Sequence, residues 1–78
     1  MNSLRVYINP ASADALDGQR IFYSRRADGP YYRWFYEEER WRGARVRPSD
    51  SALRTLCMTS WKTVPTALQT KLSEHYLE

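Results

Sequence analysis

Glycine is scarce in this 78-residue chain: three residues, Gly18, Gly29 and Gly43. A phosphate-cradling loop draws on several clustered glycines, so a nucleotide-binding loop of that kind is not expected. Cysteine and histidine occur once each, as Cys57 and His75. One cysteine makes no internal disulfide, which fits a reducing compartment. One Cys and one His also fall short of the four ligands of a structural zinc site. No apolar run approaches the roughly 20 residues that cross a bilayer. The start, MNSLRVYINP, lacks the basic segment and apolar run of a secretory signal. On these absences a cytoplasmic protein is expected, with no membrane partner, cofactor or metal. No nucleophile elbow, zincin histidine pair or Cys-x-x-Cys is present, so an enzyme is not expected.

What the chain has in quantity is aromatic residues and arginine. Eleven residues are Phe, Tyr or Trp, and ten of the twelve cations are Arg. A chain this short forms one domain, residues 1–78, and buries only about 60% of the surface its unfolded form exposes. Large rings raise the apolar area packed into that small volume. The net charge of +3 is unevenly spread. Residues 20–47 carry eight arginines against four acids, whereas residues 48–78 balance to zero. Arginine forks onto carboxylates and phosphates and stacks on rings, so the middle third, RRADGPYYRWFYEEERWRGARVR, carries the candidate surface.

Periodicity divides the chain in two. Leu4–Ile8 alternates with period two and stops at Asn9-Pro10, which predicts a strand. Residues 9–19 read as a loop in which Ser12 caps at most one helical turn. Arg20–Arg26, Tyr31–Glu37 and Trp41–Arg47 predict three further strands. Asp28-Gly29 marks a hairpin, with Ala27–Pro30 as a four-residue loop. Glu38-Glu39 marks the next turn, and Gly43 inside its strand points to a bulge or a close approach. After Pro48 the period changes. Leu53, Leu56, Cys57, Ser60, Trp61 and Val64 follow helical spacing, with Ser49 or Asp50 as N-cap. The same segment, RTLCMT, also fits a fifth strand. Beyond Pro65, Thr66-x-x-Gln69 fits a capping box, and Leu68, Leu72, His75 and Tyr76 form an apolar stripe on a final helix. The expected fold is α+β: a three- to four-stranded, mainly antiparallel sheet with one or two C-terminal helices packed on one face.

The turns set a register, and opposed residues share a face. With Arg26 opposite Tyr31 and Tyr36 opposite Trp41, one face holds Ile21, Tyr23, Tyr32, Trp34, Tyr36 and Trp41. Leu4, Val6 and Ile8 join it, making it the core face. The other holds Phe22, Arg26, Tyr31, Arg33, Phe35 and Arg42, with Arg5 and Tyr7 alongside. Those first six are the candidate binding residues, on a face that no helix evidently covers. An acidic protein surface is the expected partner. Single-stranded RNA is the alternative, since bases stack on exposed rings and guanidiniums take phosphates. The arginines could equally lie over their own rings, and the rings could instead mark a homodimer interface. Glu37–Glu39 reads as a solvated hairpin tip and Cys57 as a small core residue, rather than as the acids or the thiol of a small enzyme. Trp61 reads as a residue packed across the core.

Overall fold

The computed structural model describes residues 4–12 and 20–77. Of the loop expected over residues 9–19, residues 13–19 lie outside the described residues. The architecture is α+β, with one antiparallel sheet of five strands. The strands are β1 (Arg5–Ile8), β2 (Phe22–Arg25), β3 (Tyr31–Glu37), β4 (Arg40–Val46) and β5 (Cys57–Met58). Helix α1 spans Asp50–Thr55 and helix α2 Thr66–His75, and 3-10 turns occupy Pro10–Ser12 and Trp61–Thr63. Strand order is β4-β3-β2-β1-β5, so β4 and β5 are the edges.

Strands β3 and β4 form where aromatic residues are dense, and such side chains suit a pleated, half-buried surface. Their register runs unbroken from Tyr31↔Val46 to Glu37↔Arg40, as the two-residue turn dictates. Glu38 and Glu39 both hold positive φ, 55° and 64°. That is the backbone of a type I′ turn, whose twist matches the flanking strands but which normally takes Asn-Gly. The expected close approach is at Gly43, and no bulge accompanies it. A Cβ built there would stand 2.5 Å from the Trp34 ring, so the indole lies flat across the glycine of the neighbouring strand.

The β2–β3 connection departs from the expected loop. The amide of Gly29 donates to the Arg26 carbonyl, so Arg26–Gly29 is itself the turn and Arg26 leaves the ladder. The connection is one residue longer at its start, and Phe22 opposes Trp34, Tyr23 opposes Arg33 and Ser24 opposes Tyr32. A slip of one residue exchanges the faces of a strand. Phe22, expected on the open face, is in the core at 1% exposure. Tyr23, expected in the core, lies on the open face between Tyr7 and Arg33.

The segment after Pro48 is the second departure. Ser49 caps α1 through its side chain, which accepts from the Ala52 amide. The helix stops after six residues and has no buried residue of its own. A helix that short, without a packed face, is marginal. The outer edge of β1 offers ladder hydrogen bonds instead, and Cys57 and Met58 pair with Ile8 and Tyr7. The Thr59 amide then donates to the Val6 carbonyl. The fifth strand therefore replaces the helix over residues 57–58. Cys57 is exposed rather than a core residue, and Trp61 is 40% exposed rather than packed across the core.

Helix α2 closes one face of the sheet. Val64, Leu68, Leu72 and Tyr76 recur at four-residue spacing and pack on Val6, Phe22, Trp34 and Trp41. Leu68 and Leu72 are fully buried, each worth roughly 1.5–3 kcal/mol of transfer free energy. Phe22 meets Trp41 edge-on at 5.9 Å between centroids. The expected capping box is not formed, because the Gln69 side chain reaches the Trp61 carbonyl instead, 2.8 Å away. Leu53 and Leu56 are not among the residues packed on this core.

Two substitutions test this account by urea denaturation. Gly43→Ala is expected to cost about 1–3 kcal/mol, because its methyl must displace a buried indole. Glu39→Gly is expected to stabilise by about 1 kcal/mol through relief of the left-handed backbone. A neutral Gly43→Ala would mean the Trp34 ring is free to move.

Candidate functional site

The face opposite α2 carries a row that crosses all five strands: Met58, Tyr7, Tyr23, Arg33 and Ala44, each paired to the next. Arg5 and Arg25 oppose one another one step along. On β3, Tyr31, Arg33 and Phe35 alternate onto this face, with Arg42 opposite Phe35. Four of the six sequence-predicted residues, Tyr31, Arg33, Phe35 and Arg42, thus come together. Phe22 and Arg26 do not. Phe22 faces α2. Arg26 reaches the helix side, where its guanidinium donates to the Tyr76 carbonyl and lies 5.4 Å from the Tyr76 ring.

The arginines of the open face differ in what they already hold. Arg25 lies 4.7 Å over the Tyr31 ring and donates to the Tyr31 hydroxyl and to the carbonyls of Arg26 and Ala27. The bond to Tyr31 raises its pKa further above the ordinary arginine value. Arg25 is therefore a turn-holding residue. Arg42 forms ion pairs with Glu38 and, at 3.7 Å, with Glu37, so the expected solvated hairpin tip is also an anchor. Arg33 lies 5.0 Å over the Phe35 ring, and no carboxylate of the described residues pairs with it. Its guanidinium lies over a ring while its charge stays without an acidic partner.

Tyr23, Arg25 and Met58 belong to this face and were not assigned to it from sequence. Met58 is 64% exposed. For β2 a signal was present: placing Arg26 outward puts Arg25 on the core face of a central strand, where a cation has no partner. The cover of the face is also partial rather than absent. Leu53 of α1 lines a surface cleft with Tyr31, Val46 and Pro48, so α1 sits at the Tyr31–Val46 corner and leaves the central row open.

On the α2 side, three polar groups meet inside the core. Trp34 Nε1 donates to Ser24 Oγ at 2.8 Å, and Ser24 Oγ shares a 2.8 Å hydrogen bond with the Tyr76 hydroxyl. His75 packs edge-on against Tyr32 at 4.4 Å and Trp34 at 5.4 Å. Cys57 lies three strands from Trp34 in the row Cys57, Ile8, Phe22, Trp34, roughly 14 Å at ordinary strand spacing. The thiol and the imidazole are thus not a nucleophile–base pair. Among the described residues no cluster of three or more His, Cys, Asp or Glu could hold a metal ion, and no helix is long and apolar enough to cross a membrane.

Comparison with known proteins finds no matching family model, no matching curated protein and no matching solved structure.

Burial raises the pKa of Tyr76 above its ordinary value of 10.0, and the Ser24 bond opposes that only in part. A phenol whose folded pKa is raised binds its proton more tightly in the folded state. Its contribution is fully present below the unfolded pKa, about 10, and is lost as pH rises through the folded value. Stability is therefore expected to fall above pH 10, and Tyr76→Phe to flatten that fall, as followed by circular dichroism. An unchanged slope in Tyr76→Phe would place the alkaline transition elsewhere.

Proposed function

We propose that the protein is a non-catalytic interaction module whose open Arg/aromatic sheet face docks an acidic protein surface. Arg33 is the observation that carries this reading. It stands midway along the interior strand β3, its guanidinium seated on Phe35 and without a carboxylate of the described residues. A guanidinium already held over a ring loses less freedom on meeting a carboxylate than one loose in solvent. Around it, Tyr7 and Tyr23 supply rigid contact area, and Arg5 adds charge on the same face.

Single-stranded RNA is the competing ligand. Tyr7 and Tyr23 lead up to Arg33 from one side of a single row, and a base could stack where a phosphate met the arginine. The acidic-protein reading is preferred because the Tyr31 and Phe35 rings are already occupied by Arg25 and Arg33. A base would have to displace those guanidiniums before stacking there.

Amide NMR of the labelled protein separates these readings. Polyglutamate is expected to shift Tyr7, Tyr23, Arg33 and Phe35, with the shifts fading as salt rises. Arg33→Glu is expected to weaken that binding roughly tenfold and to leave the fold intact, since it removes one cation–π contact worth about 0.5–1 kcal/mol. Tighter binding of mixed-sequence single-stranded RNA, with a salt slope of about −0.7 per phosphate, would favour the nucleic-acid reading. No shift on this face with either ligand would reduce the arginines to a cover for their own rings.

A further inference from the structure

The outer edge of β4 is a second feature that the open face does not account for. The edge is seven residues long and unbulged. Exposed edges of that length are commonly shortened, bulged or covered, because their free backbone groups recruit other strands. The opposite edge obeys that rule, since β5 has two residues. In a two-residue hairpin the closing pair, Glu37 and Arg40, exchanges both hydrogen bonds. Arg40, Arg42, Ala44 and Val46 therefore bond inward to β3. Trp41, Gly43 and Arg45 turn their N–H and C=O groups outward.

The charge along this edge has one sign. Arg40, Arg42, Arg45 and Arg47 lie within eight residues. Arg42 is engaged by Glu37 and Glu38. Arg40, Arg45 and Arg47 are exposed and pair with no carboxylate of the described residues. A second copy of this chain pairing edge to edge would set four arginines against four, which like-charge repulsion opposes. Beside the edge, between β4 and α2, lies a cleft of about 560 Å³ whose lining includes Trp34, Trp41 and Gly43, the cations Arg40, Arg42 and Lys71, and the acids Glu37 and Glu74. Side chains of an added strand on the helix side would enter it. Those on the other side would pass over Arg40 and Arg42.

We infer that the β4 edge accepts an extended acidic segment of a partner protein as a sixth strand, through the outward backbone groups of Trp41, Gly43 and Arg45. Backbone bonds supply the pairing, and carboxylates at alternate positions supply the selection. This rests on the reading above that the partner is acidic, and adds where and in what form the acidic chain binds.

The test uses the full chain and two synthetic heptapeptides of alternating Glu and Thr. One is unmodified. The other is N-methylated at every residue, which keeps its carboxylates and removes its backbone donors. The unmodified peptide is expected to slow hydrogen exchange at the Trp41, Gly43 and Arg45 amides by about tenfold or more, and the N-methylated peptide to leave them unchanged. Equal binding of both peptides would overturn strand addition. So would shifts at Tyr7, Arg33 and Phe35 without edge protection, and that result would leave the face reading standing. Failure of both peptides to bind also overturns strand addition. The polyglutamate titration then decides the face reading on its own.

Discussion

A single hydroxyl holds the two layers in register. Ser24 is fully buried in the middle strand, and its oxygen meets the indole N–H of Trp34 and the hydroxyl of Tyr76. Two large aromatic residues can enter this core only if their polar ends find partners there. Without the hydroxyl, each would leave an unpaired group at a cost of about 1–3 kcal/mol. The arrangement sets the Trp34 ring in its plane, and that plane passes over Gly43. A side chain at Gly43 would push the indole off its bond. Because Tyr76 ends α2, the same network fixes where the helix finishes on the sheet. Arg26 adds a bond to the Tyr76 carbonyl from the far side of the turn. Core packing, the glycine in β4 and the departure of Arg26 from its ladder are thus connected through one small residue.

That network also decides what remains outside. With Phe22, Ser24, Trp34 and Trp41 committed to α2, strand alternation sends Tyr7, Tyr23, Arg33 and Phe35 to the opposite face. Among the described residues, little is left to cover it. Ten residues of α2 close one side, and six of α1 reach one corner of the other. Arginine supplies the missing cover. A guanidinium is flat and weakly hydrated, so it can lie on a ring without losing its charge. A lysine ammonium, compact and strongly hydrated, would cover less.

The legible parts of the fold were those fixed by local geometry. Two residues between β3 and β4 allow one register, and Tyr31, Arg33, Phe35 and Arg42 were placed together from that alone. The final helix followed from Leu68, Leu72 and Tyr76. Misplacements came where two local solutions were close in energy. Pro30 rules out one turn but leaves two loop lengths open, and ending the strand at Arg26 rather than Arg25 exchanges the faces of Phe22 and Tyr23. The indole–serine–phenol network that settles it spans residues 24, 34 and 76, and no local pattern reports so distant a contact. Residues 53–64 were ambiguous for a related reason. Their spacing is helical, yet the free edge of β1 offers Cys57 and Met58 a ladder, which is again a long-range term.

Cover and contact are therefore not opposed roles for these arginines. Arg25 directs three donors to Tyr31 and to two carbonyls of its own turn, and Arg42 hydrogen-bonds Glu38 and lies within ion-pair distance of Glu37. Each is held by bonds within its own hairpin. Arg33 is held over the Phe35 ring, a contact that leaves its N–H donors available. Stacking thus does for Arg33 what an ion pair does for Arg42: it fixes the side chain, but without neutralising it. A charge that is already ordered and still unpaired meets a carboxylate at a lower entropic cost than one swinging in solvent. On that ground Arg33, rather than the more exposed Arg5, is the residue around which an acidic partner would be oriented.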